Sequence, residues 1–387
     1  MSQSGGRRKK NKDKTFFDYT MLFIVIFLLC FGLVMLYSVS SYGASLNFND
    51  SAYYLKKQAQ STVFGLILMV VVMMIDYHVW RKLAVPAYLV SVVMVLLVLT
   101  PLGYEVNGAR RWLNLGVSLQ PAEIAKVGMI IFFAAYVCKI GRNIQTLRGV
   151  ITTVLMGVPM SVLVLTVTDN LSTAIIIFGI IAMMVFVATP NYKEYFLLGG
   201  VLVGVAAIFV ILVKKGVLTS ELSYRFGRIE AWLNPEAYAG TKGFQTLQAL
   251  YAIGSGEVFG KGLGQSMQKL GFVPEAQNDM VFSIICEELG LFGAFMVLLM
   301  FVLLIWRFLV VANNAVDMYG ALLVVGVMAH ISLQVILNVA VVTNTIPNTG
   351  ITLPFISYGG SAVVFLLIEI GLVFSVSRKI KLKNAGE

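Results

Sequence analysis

The stretch Phe272–Gly290, FVPEAQNDMVFSIICEELG, changes character at its centre. Pro274, Glu275, Gln277, Asn278 and Asp279 are polar or turn-forming, and an apolar run begins at Met280. The junction reads as the start of a membrane helix. Asn278 or Asp279 is its expected N-cap, because either side chain accepts from the unpaired N–H groups of a first helical turn. Asp279 then sits at the water–lipid boundary. Glu287 and Glu288 lie about 12–14 Å deeper, at about 1.5 Å per residue. Carboxylates at that depth are costly, and they are paired or functional. For Asp279, capping and chemistry are both open on this stretch alone.

The surrounding chain decides the class. Of 387 residues, 58% are hydrophobic and 12% charged, with a mean hydropathy of +0.86. Runs of about 20 apolar residues span a bilayer. Ten such runs stand out: 18–40, 58–76, 83–102, 120–138, 150–168, 171–189, 194–214, 280–306, 317–344 and 361–377. The expected fold is an all-α polytopic membrane protein of about ten transmembrane helices. A large extracellular loop, 216–279, separates spans 7 and 8, and basic tails, 1–17 and 378–387, flank the single membrane domain. The short loops bearing Arg81 and Lys82, then Lys139, Arg142 and Arg148, then Lys193, then Arg307, share one face with both tails. The positive-inside rule makes that face cytoplasmic, so the large loop faces outward.

The net charge of +10 therefore reports membrane topology, and nucleic acid is not an expected partner. Cys30, Cys138 and Cys286 all fall in apolar runs, which argues against a disulfide framework. With only His78 and His330, a His-rich metal site is not expected. The run Thr20–Val39 exceeds a signal-peptide core and reads as a retained first span.

Polar residues gather at few places. Residues 107–126 read NGARRWLNLGVSLQPAEIAK. Arg110 and Arg111, beside Trp112, are either interfacial anchors or a phosphate clamp, since a guanidinium matches phosphate oxygens in pairs. Pro121 suits a first helical turn and puts Glu123 and Lys126 on one face at i, i+3. That pair is a structural tie or the wall of a polar cavity. The large loop carries Arg225 and Arg228, then IGSGEVFGKGLGQS at 253–266. Its glycines do not form a P-loop: the spacing is short, and Lys261 is followed by Gly262. It reads as a tight loop packed near the membrane, with Lys261 as an anion contact. Finally, PNTGITLPFISYGGS at 347–361 is rich in Pro, Gly and hydroxyls between two apolar spans. Irregular backbone at membrane depth is tolerated only where it is buried or lines a cavity.

The candidate catalytic residue is Asp279. The candidate substrate contacts are Arg110, Arg111, Glu123, Lys126, Arg225, Lys261 and Glu288, and no metal ligands are assigned. A boundary carboxylate among cations suits an amphiphilic anionic substrate.

Five motifs in order (NGARRWL, QPAEIAK, IGSGEVFGKGLGQS, PEAQNDMVFSIICEELG and PNTGITLPFISYGGS) give the chain its resemblance to the SEDS family (shape, elongation, division, sporulation), closest to its division members. The resemblance implies ten spans with cytoplasmic termini. It implies a peptidoglycan glycosyltransferase that polymerises lipid II outside the membrane. The implied partners are a class B penicillin-binding protein, which cross-links the strands, and other division proteins. The family's essential aspartate falls on Asp279, its arginine on Arg111, and its Glu and Lys on Glu123 and Lys126. One position departs: Asn170 stands where many members have Asp. No cofactor is implied for certain, and a divalent cation is compatible with a diphosphate substrate. Two rival readings are a lipid II flippase, whose key carboxylates would lie near the midplane, and a non-catalytic division scaffold, in which no single polar residue is essential.

Overall fold

The computed structural model describes residues 16–189 and 224–380 except positions 107, 115, 117 and 242, with residues 200, 204, 208, 211 and 212 between the two blocks. The helices are α1 (Tyr19–Phe48), α2 (Tyr53–Met74), α3 (Tyr77–Lys82), α4 (Ala84–Leu96), α5 (Pro121–Ile140), α6 (Leu147–Val167), α7 (Leu171–Ala188), α8 (Tyr224–Leu233), α9 (Phe244–Ser255), α10 (Val281–Asn313), α11 (Met318–Val342) and α12 (Gly360–Ser377). Among the described residues, eight of these are long and apolar enough to cross a bilayer. The third predicted span is the shorter α4 with a 3-10 turn at Leu97–Leu99. Of the seventh, 194–214, only residues 200, 204, 208, 211 and 212 are described.

Local chemistry sets the helix ends. Asp18 caps α1 by accepting from the Met21 N–H at 2.9 Å, and it also pairs with Arg307 near the end of α10. Asp317 caps α11 through the Gly320 N–H at 2.7 Å. Pro121 occupies the first turn of α5, as its fixed φ favours. α5 is buried along most of its length, packed by α4, α7 and α11, while α2 lies along α12. Outward-facing Phe23, Phe64, Leu89 and Phe295 are exposed, as side chains facing acyl chains should be.

The fold is mostly helical, but one small sheet adds to the all-α expectation. Strands β1 (Gly103–Val106), β2 (Ala109–Asn114) and β3 (Ser118–Leu119) form an antiparallel meander in order β1-β2-β3. Val106 pairs with Ala109 across the Asn-Gly dipeptide at 107–108, and Gly108 takes φ +76°. Asn-Gly between strands is a strong hairpin signal, because such a turn needs positive φ. The meander carries Arg110 and Arg111 and leads directly into α5.

The segment between α11 and α12 is irregular yet buried, with Ile351, Leu353, Phe355 and Ile356 nearly inaccessible. Its backbone is satisfied by amide side chains from neighbouring helices. Gln334 Nε2 donates to the Thr352 carbonyl at 3.0 Å, and Asn338 Nδ2 to that of Ile351 at 2.7 Å. Gln58 of α2 accepts from the Gly359 N–H at 3.1 Å. This is how non-helical chain persists at membrane depth.

Candidate active site

Asp279 lies two residues before α10, and its residue is only 8% exposed. It does not cap that helix. The N-cap position is Met280, with no side-chain cap bond, so the capping expectation for Asn278 or Asp279 is overturned. The reason is tertiary: the carboxylate is drawn to the outer-loop helix α9. Gln245 Nε2 donates to Asp279 Oδ1 at 3.3 Å and to the Pro274 carbonyl at 3.0 Å. Gln245 Oε1 accepts from Asn348 Nδ2 at 2.9 Å. Asn338 Nδ2 of α11 donates to the Asp279 main-chain carbonyl at 2.8 Å. Thus α9 holds the Asp279 carboxylate, α11 holds its main-chain carbonyl, and the irregular segment holds Gln245.

Its surroundings are mostly uncharged amides and apolar groups. Burial pushes the Asp279 carboxyl up to about 7. The charge of Glu275 adds to that rise, while its own backbone N–H, Arg228 on α8 and the Gln245 amide oppose it. Arg225 sits one turn before Arg228 on the same helix. At neutral pH, Asp279 is therefore poised between a proton acceptor and a neutral acid.

Gln245 and Asn338 were missed by sequence reasoning. For Asn338 the available signal was its pairing with Gln334 at i, i+4 in a mostly apolar span; Gln245 had none. Gln245→Ala should lower turnover about tenfold, because a hydrogen bond to a charged group is worth about 1.5–3 kcal/mol. Since the Gln245 bond favours the ionised carboxylate, its loss should also move the acidic limb of the pH–rate profile to higher pH. Steady-state kinetics across pH check both effects, and a purely structural role would not move the limb.

The arginines of the meander hold loops. Arg110 donates from Nε and Nη2 to the Gly103 carbonyl at 3.0 and 2.9 Å, and from Nη2 to that of Thr100 at 2.6 Å. Arg111 donates from Nε to the Thr168 carbonyl at 3.0 Å and from Nη2 to that of Asp169 at 2.7 Å. The α6–α7 turn that Arg111 holds reaches the irregular segment in turn, where the Ser172 hydroxyl donates to the Thr349 carbonyl. Gly350, next along, lies beside Asp279. Asn170 caps α7 by accepting from the Thr173 N–H at 3.0 Å. Asn caps about as well as Asp, so the family's Asp can be replaced here without losing this bond.

Glu123 and Lys126 form an ion pair of 2.9 Å with side chains 8% and 3% exposed. Their neighbourhood is the start of α5, directly after the meander.

Glu288 and Lys261 are not brought to Asp279. They belong to a second cluster, about two and a half turns further along α10. Gly290 has φ +69° and ψ −171°, which breaks the helix. The break frees two carbonyls and two N–H groups, and the glycine loop pairs all four. Lys261 N–H donates to Glu287 O and Gly262 N–H to Glu288 O, each at 2.9 Å. Leu291 N–H donates to Glu257 O at 2.9 Å and Phe292 N–H to Val258 O at 3.0 Å. The strands of chain are so close that a Cβ on Gly260 would collide with the Glu288 carbonyl. This is the close packing that the sequence predicted for the glycine loop. The side chains complete the clasp. Lys261 Nζ meets Glu287 Oε1 at 2.7 Å, and Lys269 Nζ meets Glu288 Oε1 at 2.7 Å. Ser38 of α1 also donates to Glu288, at 2.8 Å.

The described geometry defines a class: a multi-pass helical membrane protein with a partly desolvated carboxylate at one membrane face. Comparison with known proteins gives the family. The FtsW, RodA and SpoVE family, described as a cell cycle protein, matches residues 19–382. The stage V sporulation protein E of Bacillus subtilis is 38% identical over 94% of this chain and 98% of its own. A probable peptidoglycan glycosyltransferase FtsW of Trichlorobacter lovleyi is 36% identical over 95% of this chain and 94% of its own. Among solved structures, a peptidoglycan synthase complex that coordinates polymerization and crosslinking contains a similar chain, with TM-score 0.77 and 26% identity over 95% of this chain and 99% of that one. The rod shape determining protein RodA of Thermus thermophilus aligns with TM-score 0.68 and 26% identity over 95% and 98% of the two chains. The chain belongs to the FtsW/RodA/SpoVE family.

Proposed function

We propose that this protein is a peptidoglycan glycosyltransferase that polymerises lipid II at the outer face of the cytoplasmic membrane during cell division. The observation that carries the reading is Asp279: a carboxylate raised to about 7, held by Gln245 beside an arginine-bearing loop helix, at one membrane face. A sugar hydroxyl is a poor nucleophile at neutral pH. Asp279 takes its proton as the hydroxyl oxygen bonds to the donor's anomeric carbon. The bond from that carbon to the lipid diphosphate breaks, and the diphosphate leaves with the electron pair. The activated phosphate supplies the driving force, so no nucleotide is consumed.

Arg225 and Arg228 are the proposed diphosphate contacts on α8. Arg110 and Arg111 brace the floor of the site, and Arg111 adds positive charge to it. Glu123 and Lys126, a fixed pair at the start of α5, are further proposed substrate contacts, and Glu288 with Lys261 holds the glycine loop from a distance. A class B penicillin-binding protein is the proposed partner, with other division proteins, as the synthase complex of the similar chain suggests. Among the described residues, no group of three or more His, Cys, Asp or Glu side chains is placed to hold a metal ion. A flippase reading would rest on free carboxylates near the midplane, and Glu123 and Glu288 are both ion-paired.

The test is polymerisation of purified lipid II by the purified chain, with and without its penicillin-binding protein. Glycan strands support the reading, and lipid II translocation without strands in either condition refutes it. Orientation is checked separately. In a variant lacking the three native cysteines, a cysteine at Ser255 should react with an impermeant thiol reagent in intact cells, and one at Asn313 should not. Labelling of position 313 alone would invert the topology.

A further inference from the structure

On the face opposite Asp279, the end of α5, the following 3-10 turn Gly141–Gln145, the end of α7, α3 and the start of α11 enclose a pocket of about 440 Å³. Arg81 and Arg142 line it, and neither guanidinium has a hydrogen bond or ion pair among the described residues. Asp317 also lines it, but its carboxylate is already engaged. It accepts from the Tyr77 hydroxyl at 2.9 Å, sits 2.7 Å from His78 Nε2, and caps α11. With two arginines against the one carboxylate, the lining carries a net charge of +1.

A second observation is independent of charge. Tyr319 lines the same pocket and is 1% exposed, yet its hydroxyl has no hydrogen-bond partner among the described residues. A buried hydroxyl left unpaired is costly, and buried polar atoms are nearly always satisfied. An acceptor entering the pocket would satisfy it. Arg81 stands over the Tyr319 ring, 5.9 Å from its centroid. Arginine, unlike lysine, offers paired donors that fit phosphate oxygens. The remaining wall includes apolar Val137 and Ile144. Two planar cations, a lone hydroxyl donor and an apolar wall at a helix-bundle surface match an anionic lipid headgroup. Basic pockets between membrane helices bind such headgroups.

We propose that this pocket binds the phosphate of an anionic phospholipid, with Arg81 and Arg142 on its oxygens and Tyr319 as a third donor. The assignment needs only that this face meet a bilayer surface. It does not rest on the glycosyltransferase reading.

The test uses the purified full chain, stripped of lipid in detergent and given equimolar phosphatidylglycerol and phosphatidylcholine. Native mass spectrometry counts what is retained. The wild type should keep one phosphatidylglycerol in preference to phosphatidylcholine. Arg81→Gln with Arg142→Gln should weaken that retention at least about tenfold, as loss of two charge-assisted contacts implies. Lys82→Gln, outside the pocket, should leave it unchanged. Tyr319→Phe should weaken retention about fivefold while raising thermal stability in lipid-free detergent, because it removes a buried hydroxyl that has no partner there. Should the double variant misfold, Tyr319→Phe alone decides. Equal retention in wild type and Tyr319→Phe, or no preference for phosphatidylglycerol, would overturn the proposal. Displacement of the lipid by millimolar inorganic phosphate would reassign the pocket to a free anion.

Discussion

Asp279→Asn should slow lipid II polymerisation at least about a hundredfold, because general-base assistance is typically worth about 10²–10⁴-fold. The substitution preserves size and keeps an oxygen that accepts from Gln245. It removes the basic site and the charge. Folding should not suffer, since the side chain caps no helix. It should improve at alkaline pH. The folded carboxyl, at about 7, lies above its unfolded value of about 3.9. Such a group stabilises the fold fully below the unfolded value and loses that contribution as pH rises through about 7. Asparagine never ionises. The variant should therefore unfold at a higher temperature than wild type at pH 8, with the difference shrinking towards pH 5. Thermal scans beside polymerisation assays check both halves. Loss of activity with loss of stability would return Asp279 to a structural role.

Lys269→Met should destabilise the protein by about 3–5 kcal/mol, the usual cost of stranding one buried charge. Lys269 is 7% exposed in its side chain and Glu288 is fully buried, and the pair is 2.7 Å long. Ser38 and the Ser266 N–H would remain on Glu288, but neither carries charge. Replacing both partners, Lys269→Met with Glu288→Met, should restore most of the loss, because paired removal leaves nothing unpaired. Denaturation in detergent measures the cycle. If Glu288 contacts substrate instead, Lys269→Met would leave stability near wild type. The consequence reaches function indirectly, since the glycine loop follows α9, which carries Gln245, and precedes Asp279.

Much of this arrangement was legible in the chain. Apolar runs located the helices, Pro121 marked the start of α5, and the polar run ending at Asp279 marked a membrane face. The Pro/Gly segment at 347–361 read as a re-entrant cavity wall; its chain is irregular, and Ile351, Leu353, Phe355, Ile356 and Ser357 within it are buried. What escaped was set by contacts distant in sequence. Asp279 looked like a cap because capping is a local rule, and Gln245, 34 residues earlier, took its oxygen instead. Lys261 was expected as an anion contact from its place in the outward glycine loop, and Glu288 as a substrate contact from its depth in an apolar helix. Their partners, Glu287 and Lys269, became visible only once the break at Gly290 folded the loop back. The β-meander was signalled by Asn107-Gly108, but its strands are too short to show a strong alternation.

The most direct test of the central claim is the pH dependence of kcat/KM for lipid II polymerisation, in wild type and in Asp279→Asn. A base must be ionised to act, so the wild-type rate should rise with unit slope on a logarithmic scale and level off above an apparent pKa of about 7. The residual rate of Asp279→Asn should lack that limb. A wild-type rate that is flat from about pH 5.5 to 8.5, or an acidic limb that survives in Asp279→Asn, would show that another group accepts the proton.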